Sequence, residues 1–488
     1  MKILSQLLED IRTERVTGSA DKEITAVTAD SRQVVPGSLF VAMRGTVCDA
    51  HRFIPDVVAA GAAAVVCAAD YDVPAETGGT TFVQVADTAE ALGLLASAWH
   101  GHPSRSLTLV GVTGTNGKTT IATLLYDMAR LRGERAGLLS TVVNRVGDEA
   151  IASTPTTPDP LELNALLARM VDAGCTFAAM EVSSHACAQR RIAGLKFAGG
   201  VFTNLTRDHL DYHKTFQAYL EAKKMFFDAL PADAFALVNA DDSHARILVQ
   251  NTSAKVYTYS LRSSADFRGA VVENHIDGML LRIDGREVAT QFAGRFNASN
   301  LLAVYGADRL LGRGKEEALT ALSALTPVAG RFQTVRCAGV TAIVDYAHTP
   351  DALVNVLDTV REAMNGKGAV ITVCGCGGDR DHGKRPIMAA EAARRSDMLI
   401  ITADNPRSED PAAIADDMLR GLDDDARLRT AVQLDRREAI RMAIAAAEPG
   451  DVVLIAGKGH ENYQIVGAER RHFDDMEETR AAFLDLKH

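Results

Sequence analysis

Aromatic side chains are scarce in this chain, 5% of 488 residues with one tryptophan. Ala, Val and Leu dominate instead, which favours helices packed on sheets over a small all-β architecture. Excess positive charge is also missing. The formal net charge is -11, so a general nucleic-acid binder is disfavoured, although an acidic protein can still bind phosphate locally. No nucleic-acid partner is expected. The seven cysteines are scattered, Cys374 and Cys376 stand too close for a CxxC pair, and no Cys/His cluster has zinc spacing. They read as reduced thiols of a cytosolic protein. No apolar run reaches the roughly 20 residues of a membrane span. The opening "MKILSQLLEDIRTERV" carries acids and arginines within an amphipathic helical pattern, unlike a signal peptide. Internal repeats and low-complexity segments are absent too. A soluble, cytoplasmic protein with no membrane partner is expected.

What is present suffices for several cores. The hydrophobic fraction is 47%, and a chain of this length suggests about three domains. Short strands ("ITAVTADSR", "SLFVAM", "AAAVVCA", "TFVQVAD") mix with helices over the first hundred or so residues. A helix and a Pro-containing linker follow, placing a boundary near Pro103. The strand "SLTLVGVTG" opens a second set with "FAAMEVSS" and "GGVFTNLT", which ends near "LTPVAGRFQ". A third set comprises "TAIVDYAH", "GAVITVCGCGG", "DMLIITADNP" and "DVVLIAGKGHE", each closing in a Gly-, Asp- or His-rich turn. The expectation is an α/β protein of three domains, 1–102, 103–328 and 329–488. The first is small. The central one is a P-loop-type, mostly parallel sheet with helices on both faces, and the last is Rossmann-like. Ligands of such sheets sit outside the carboxyl ends of the strands.

"GVTGTNGKTT", Gly111 to Thr120, resembles a phosphate loop with unusual spacing. Walker A needs glycine five residues before the GK pair. Here Gly111 comes too early and Gly114 too late. The core still provides what phosphate binding needs. Gly114 and Gly117 let the amides of Thr115, Asn116 and Thr120 approach, Lys118 adds a point charge, Thr119 offers magnesium a hydroxyl, and the helix N-terminus adds its dipole. A Gly-rich turn with a surface lysine is the bland alternative, disfavoured by the strand–loop–helix order. Magnesium needs further oxygen ligands. Glu181 of "MEVSSH" and His209 of "TNLTRDHLD" stand at strand ends, although alone each could be a capping acid or a satisfied loop histidine.

"TGTNGKTT", "EVSSH", "TNLTRDHLD", "YLEAKKMFF", "FNASNLLA", "GRFQ", "DYAHTPDAL", "GCGGDRDHGKRP", "DNPR" and "AGKGHENYQ" occur in the order seen in Mur ligases, and on these motifs, from Asp30 to Gln464, the chain resembles that family. The resemblance implies a UDP-substrate domain, an ATP domain and an amino-acid domain, in that order. It also makes the odd loop spacing the family's own form, used for acyl phosphate chemistry. Carried over residue by residue, ATP meets Gly114 to Thr120, adenine meets Asn300 and the ribose Asp345. Arg331 reaches the phosphates when the last domain closes. Ala29, Ser31, Thr156, Thr157, Ser183, Gln189 and Arg191 meet the UDP-sugar peptide, with uracil contacts near Thr46 to Cys48 on a looser match. Lys223, four residues after Tyr219, takes the place of a lysine converted to a carbamate. That anion would join Thr119, Glu181 and His209 around magnesium. The tyrosine spacing prefers Lys223 to Lys224. The catalytic set is Lys118, His209, Lys223 and Arg331.

"DNPR" points to the amino acid. The resemblance associates it with members that add meso-diaminopimelate, whose distal carboxylate lysine lacks. A guanidinium fork matches a carboxylate. Arg407 is the expected reader, Arg380 a second clamp, and Asp404 or Glu461 pairs with an ammonium. Asn405 and Pro406 shape the turn and Gly457 allows close backbone approach. The expected activity is therefore ATP- and magnesium-dependent addition of diaminopimelate to UDP-N-acetylmuramoyl-L-alanyl-D-glutamate by a monomer in peptidoglycan precursor synthesis. A lysine-adding, other Mur-type or folylpolyglutamate-type ligase is the near alternative. A phosphotransferase, an NTPase switch and a non-catalytic nucleotide-binding module are the distant ones.

Overall fold

A computed structural model describes residues 1–45, 48–153 and 156–485. Three large sheets organise them, and each is built from strands whose alternate residues feed two different cores. In the first sheet the order is Thr13–Thr17, Thr81–Val85, Ala64–Ala68, Ser38–Val41, Ala26–Thr28, parallel except at the first pair. Leu39, Val66 and Val83 face one cluster while Phe40, Val65 and Phe82 face another. Burial on both faces explains why these strands read as continuous apolar runs.

The central sheet has a parallel core in the order Ala136–Leu139, Phe177–Glu181, Thr108–Thr113, Gly199–Phe202, Phe235–Asn239, Lys255–Ser260. An antiparallel hairpin, Asn144–Val146 with Glu149–Ile151, extends one edge. An antiparallel meander, Phe267–His275, Gly278–Ile283 and Arg286–Thr290, extends the other. Val110, Val112 and Val201 pack on one face under the helices Lys118–Leu131 and Arg295–Leu310, and Leu109, Met180 and Phe202 on the opposite face.

The third sheet runs Gln333–Cys337, Val340–Asp345, Val452–Ala456, Val370–Cys374, Met398–Ile401, Thr430–Val432, parallel except at its first edge. It is Rossmann-like, with its last strand, Val452–Ala456, inserted between Val340–Asp345 and Val370–Cys374. The three-domain α/β expectation therefore holds.

The helical pattern expected for the opening segment does not extend as far as its sequence does. Only Leu4–Leu7 is helical, and Thr13–Thr17 is an edge strand. Lys2–Ile3 pairs with Glu23–Ile24 and Thr13–Thr17 pairs with Thr81–Val85, so strand pairing on both sides overrides the local pattern. Leu4, Leu7 and Ile11 are nevertheless buried in one core. Among the described residues every cysteine is unpaired, and no helix is long and apolar enough to cross a membrane.

Candidate functional site

The carboxyl ends of the central and C-terminal sheets meet, and their loops touch across the seam. The phosphate loop is the centre of this region. Gly114 has φ 148° and a Cβ there would collide with Thr203 Oγ1, while Gly117 has φ 87° and faces Asn300 Oδ1 at 2.6 Å from the position of a Cβ. Glycine is thus required at both for steric as well as conformational reasons. Asn204 Oδ1 accepts from the Asn116 amide at 3.0 Å, and Thr203 Oγ1 donates to the Asn116 carbonyl at 2.6 Å. The loop is held by the neighbouring strand end, and the helix Lys118–Leu131 starts directly behind it.

Lys118 Nζ folds onto the carbonyls of Gly114 (3.0 Å) and Thr115 (2.8 Å). Burial lowers its pKa, opposed by the nearby carboxylates of Glu181 and Asp208. Thr119 Oγ1 accepts a 3.0 Å bond from Arg331 Nη2, so a C-terminal guanidinium already touches the hydroxyl assigned to magnesium. Asn116 Nδ2 donates across the same seam to Asp351 Oδ2 at 3.0 Å. Thr120 is buried behind the loop.

Glu181 ends the strand beside the loop strand and is 1% exposed. Its Oε1 accepts the Thr141 amide at 2.7 Å, leaving Oε2 for another partner. His209 has a left-handed backbone (φ 54°), with Nε2 3.4 Å from Asp208 Oδ2 and its ring against that of His185. Burial lowers its pKa to about 4 against the opposing pull of Asp208, so the imidazole is neutral and can offer a lone pair. Lys223 is 1% exposed and donates to the Gly114 carbonyl at 2.7 Å, 4.8 Å over the Tyr219 ring. Burial, then the neighbouring Lys118 charge, holds its pKa well below the ordinary lysine value. Lys224 points elsewhere, paired with Asp228 at 2.6 Å. Among the described residues no three His, Cys, Asp or Glu side chains form a ready metal cage. A magnesium site needs none, because that ion keeps waters and takes substrate phosphates with one or two carboxylates.

A second group surrounds Thr157. Its Oγ1 donates to the Glu181 carbonyl at 2.9 Å and lies 3.4 Å from Ser183 Oγ. Arg191 Nη1 donates to the Thr157 carbonyl at 2.7 Å and Arg191 Nε to Gln189 Oε1 at 3.0 Å, while Gln189 Nε2 reaches the Tyr212 hydroxyl at 3.0 Å. Thr156 Oγ1 accepts from Thr141 Oγ1 at 3.1 Å. Five of the expected substrate residues therefore form one network beside Glu181. Ala29 and Ser31 stand apart in the first domain. Ala29 packs on the core that Leu161 of the central domain also touches, and Ser31 opens a 3-10 turn capped by Asp30. Thr46 and Val47 lie outside the described residues, and Cys48 is half-buried.

The third group lies at the C-terminal sheet. Asn405 Nδ2 donates to Glu461 Oε2 at 2.8 Å, and Asn405 Oδ1 accepts from Lys458 Nζ at 3.0 Å. Lys458 is fully buried, 3.4 Å from Asp404 Oδ1 and 3.8 Å from Glu461 Oε2. Two carboxylates share one lysine. Burial and the Asp404 charge raise the pKa of Glu461. Arg407 follows Pro406 with φ 51°, and its Nη1 donates to the Gly378 carbonyl at 2.9 Å. Its Nε and Nη2 have no protein partner among the described residues. Arg380 is exposed, its side chain bonded among the described residues only to the Asp379 carbonyl, and it shares the Gly377 turn with Arg407. Gly457 has φ 119°, with a Cβ position 3.5 Å from Asp404 Oδ2.

Two expected nucleotide contacts look different in place. Asp345 accepts the amides of Phe332 (2.7 Å) and Ala347 (2.8 Å), so its carboxylate holds the hinge-side loop. Asn300 abuts the phosphate loop, and nearby Asn297 lines a cavity of about 250 Å³ with Phe292, Phe332 and Gln333. Several residues went unforeseen. Asp208, Lys458 and His460 stand inside motifs already singled out and were within reach of sequence reading. The buried pair Arg436–Asp475, at 2.7 Å beneath Gly457, carries no sequence signal.

Comparison with known proteins gives matches along most of the chain. Residues 23–100 match the model described as "Mur ligase family, catalytic domain", 112–307 the "Mur ligase middle domain", and 330–459 the "Mur ligase, glutamate ligase domain". The chain is 58% identical over 482 residues to the UDP-N-acetylmuramoyl-L-alanyl-D-glutamate--2,6-diaminopimelate ligase of Bacteroides fragilis, covering 98% of this chain and 99% of that one. The protein of the same name from Bacteroides thetaiotaomicron is 56% identical over 483 residues, covering 99% and 100%. A solved structure of a ligase with that name superposes with a TM-score of 0.70 at 33% identity, covering all of both chains.

Proposed function

The chain belongs to the Mur ligase family, and from that premise we propose that it is the ATP-dependent, ADP-forming ligase that joins meso-diaminopimelate to the D-Glu γ-carboxylate of UDP-N-acetylmuramoyl-L-alanyl-D-glutamate. It works as a cytoplasmic monomer in peptidoglycan precursor synthesis, with domains at 1–102 for the UDP substrate, 103–328 for ATP and 329–488 for the amino acid. The observation that carries this reading is the 3.0 Å bond from Arg331 to Thr119, which brings the amino-acid domain onto the phosphate loop.

The reaction follows from what each group can do. Backbone amides of Gly114 to Thr120 cradle the phosphates of ATP, and Lys118 leaves its carbonyl partners to meet the terminal phosphate. Asn300 and the cavity beside Asn297 suit the adenine, and Asp345 suits the ribose if it exchanges a backbone amide for a hydroxyl. Thr119, Glu181 through its second oxygen, neutral His209 and carbamated Lys223 suit magnesium. Bound there, the ion would neutralise charge on the transferring phosphoryl group. Thr156, Thr157, Ser183, Gln189 and Arg191, with Ala29 and Ser31 at the far end, orient the nucleotide dipeptide. Its γ-carboxylate oxygen then attacks the γ-phosphorus and ADP leaves. Lys118 and Arg331 stabilise the charge that develops. The amine then attacks the acyl phosphate, and the tetrahedral intermediate expels phosphate to leave the amide. Holding amine and acyl phosphate together in the seam supplies much of the rate.

Charge explains the amino acid. Asp404 and Glu461 share one Lys458, leaving a net negative charge that suits an ammonium. Arg407 keeps Nε and Nη2 free, an edge that suits a carboxylate. Lysine has the first group at its far end and not the second. The test is to incubate the protein with ATP, magnesium, the nucleotide dipeptide and either diaminopimelate or lysine, and to weigh the product. Phosphate should appear only when dipeptide and amino acid are both present. Arg407→Ala should raise KM for diaminopimelate roughly ten- to a hundredfold, the loss expected for a charge-assisted contact of about 1.5–3 kcal/mol. Full phosphate release with ATP alone would remove the ligase reading, and unchanged kinetics in the variant would remove the specificity argument.

A further inference from the structure

We propose that His460 is the catalytic base that takes the proton from the attacking amine, an inference that rests on the ligase reading above. His460 leaves the carboxyl end of the strand Val452–Ala456 between Lys458 and Glu461, the two residues at the centre of the amino-acid cluster. Its backbone is clamped. A Cβ on Gly330 would collide with the His460 amide, so the segment carrying Arg331 packs directly on it. Its ring lies 4.9 Å from that of Tyr346, whose hydroxyl meets Glu461 Oε1 at 3.3 Å and whose face carries Arg331 at 4.3 Å.

On its other side the ring faces the backbone of Thr141, which opposes the lowering of its pKa. The Thr141 amide binds Glu181 and its hydroxyl binds Thr156. One imidazole thus spans from the residues suited to the amino acid to those suited to the peptide carboxylate. The amine and the activated carbonyl must meet between those two groups.

The ring has the right nitrogen to spare. Nδ1 is buried and has no hydrogen-bond partner. A neutral ring protonated on Nε2 holds its lone pair on Nδ1. Burial, with Arg331 and His348 nearby, keeps the ring neutral at rest, its pKa lowered to about 3. The negative charge of an acyl phosphate alongside raises its basicity at the step where it is needed. Two other histidines of the seam have other partners. His209 suits the metal, and His348 bonds the Tyr346 carbonyl through Nδ1 at 2.8 Å, under the charges of Lys384 and Asp208.

In the step itself His460 Nδ1 takes a proton from the ammonium, the freed lone pair forms the C–N bond, and the second N–H proton passes to a phosphate oxygen. The C–O bond to phosphate then breaks, with the electron pair leaving on the phosphate. Imidazolium, amide and inorganic phosphate result.

The experiment separates the two halves of the reaction in full-length protein. Acyl phosphate formation is read as isotope exchange between bridging and non-bridging oxygens of ATP, with the nucleotide dipeptide and no amine. Amide formation is read with diaminopimelate, and hydroxamate formation with hydroxylamine, an amine already unprotonated at neutral pH. His460→Ala and His460→Asn should lose roughly a hundredfold or more in kcat for the amide. Isotope exchange and hydroxamate formation should stay near the parent rates, which also shows that the variants fold. Amide formation at the parent rate would overturn the proposal. So would isotope exchange or hydroxamate formation falling in proportion to the amide. Failure of the ligase reading would look different, since the unaltered protein itself would show no exchange.

Discussion

Lys223 and Lys224 are adjacent in sequence and opposite in circumstance. Lys224 forms an ordinary i,i+4 ion pair with Asp228. Lys223 is sealed against the phosphate loop with its pKa depressed by burial and by Lys118. A depressed pKa raises the fraction of free amine, and free amine is the form that adds to carbon dioxide. Lys223→Ala should therefore lose nearly all ligase activity, with partial recovery in millimolar acetate or another short carboxylic acid, while Lys224→Ala keeps the parent rate. Rates measured with and without the acid decide this. Equal activity in the two variants would end the carbamate role. At this scale the sequence was informative wherever a residue's partners are local. The loop glycines, Lys118 and the distinction between two lysines came from spacing and motif order. Pairing between distant segments was invisible. Nothing in the chain announces that Arg436 meets Asp475, or that both oxygens of Asp345 hold backbone amides.

At the scale of elements, strand followed by loop and helix was legible because the period of the apolar residues switches as the chain passes the glycines. The first segment was less legible because its apolar spacing suits a helix while its hydrogen bonds go to neighbouring strands. Register across the central sheet decides what the phosphate loop tolerates. Gly199–Phe202 pairs with the loop strand so that Thr203 lies where a Gly114 side chain would have to be. Gly114→Ala should lower Tm and abolish nucleotide-dependent activity, since it meets both a strained φ and a collision. Gly133→Ala, at φ 78° with open space around its Cβ position, carries only the conformational cost, about 1 kcal/mol. Thr203→Ala removes the colliding hydroxyl and should restore part of the stability in the double variant, a coupling readable by thermal melts. Additive losses would show that the contact with Thr203 is not what excludes a side chain.

For the whole molecule, the seam between the central and C-terminal domains joins chemistry to motion. Asn116 reaches from the phosphate loop to Asp351, Arg331 reaches back to Thr119, and Arg207 lies 3.8 Å from Asp381. Two of these bonds end on the phosphate loop itself. Nucleotide in that loop and the position of the amino-acid domain must therefore influence each other, since ligands shift a domain equilibrium only through contacts that differ between its states. Asp351 touches neither the residues assigned to the amino acid nor those assigned to the peptide, which makes it the cleanest place to test the coupling. Asp351→Ala removes one acceptor from Asn116, a bond of about 1 kcal/mol, and should raise KM for ATP and for diaminopimelate together by a few-fold. The same variant should show a larger radius of gyration by small-angle scattering in the absence of nucleotide and regain the parent value when ATP analogue and substrates are added. A change in KM for ATP alone would make Asp351 a support of the loop, with no part in holding the domains together.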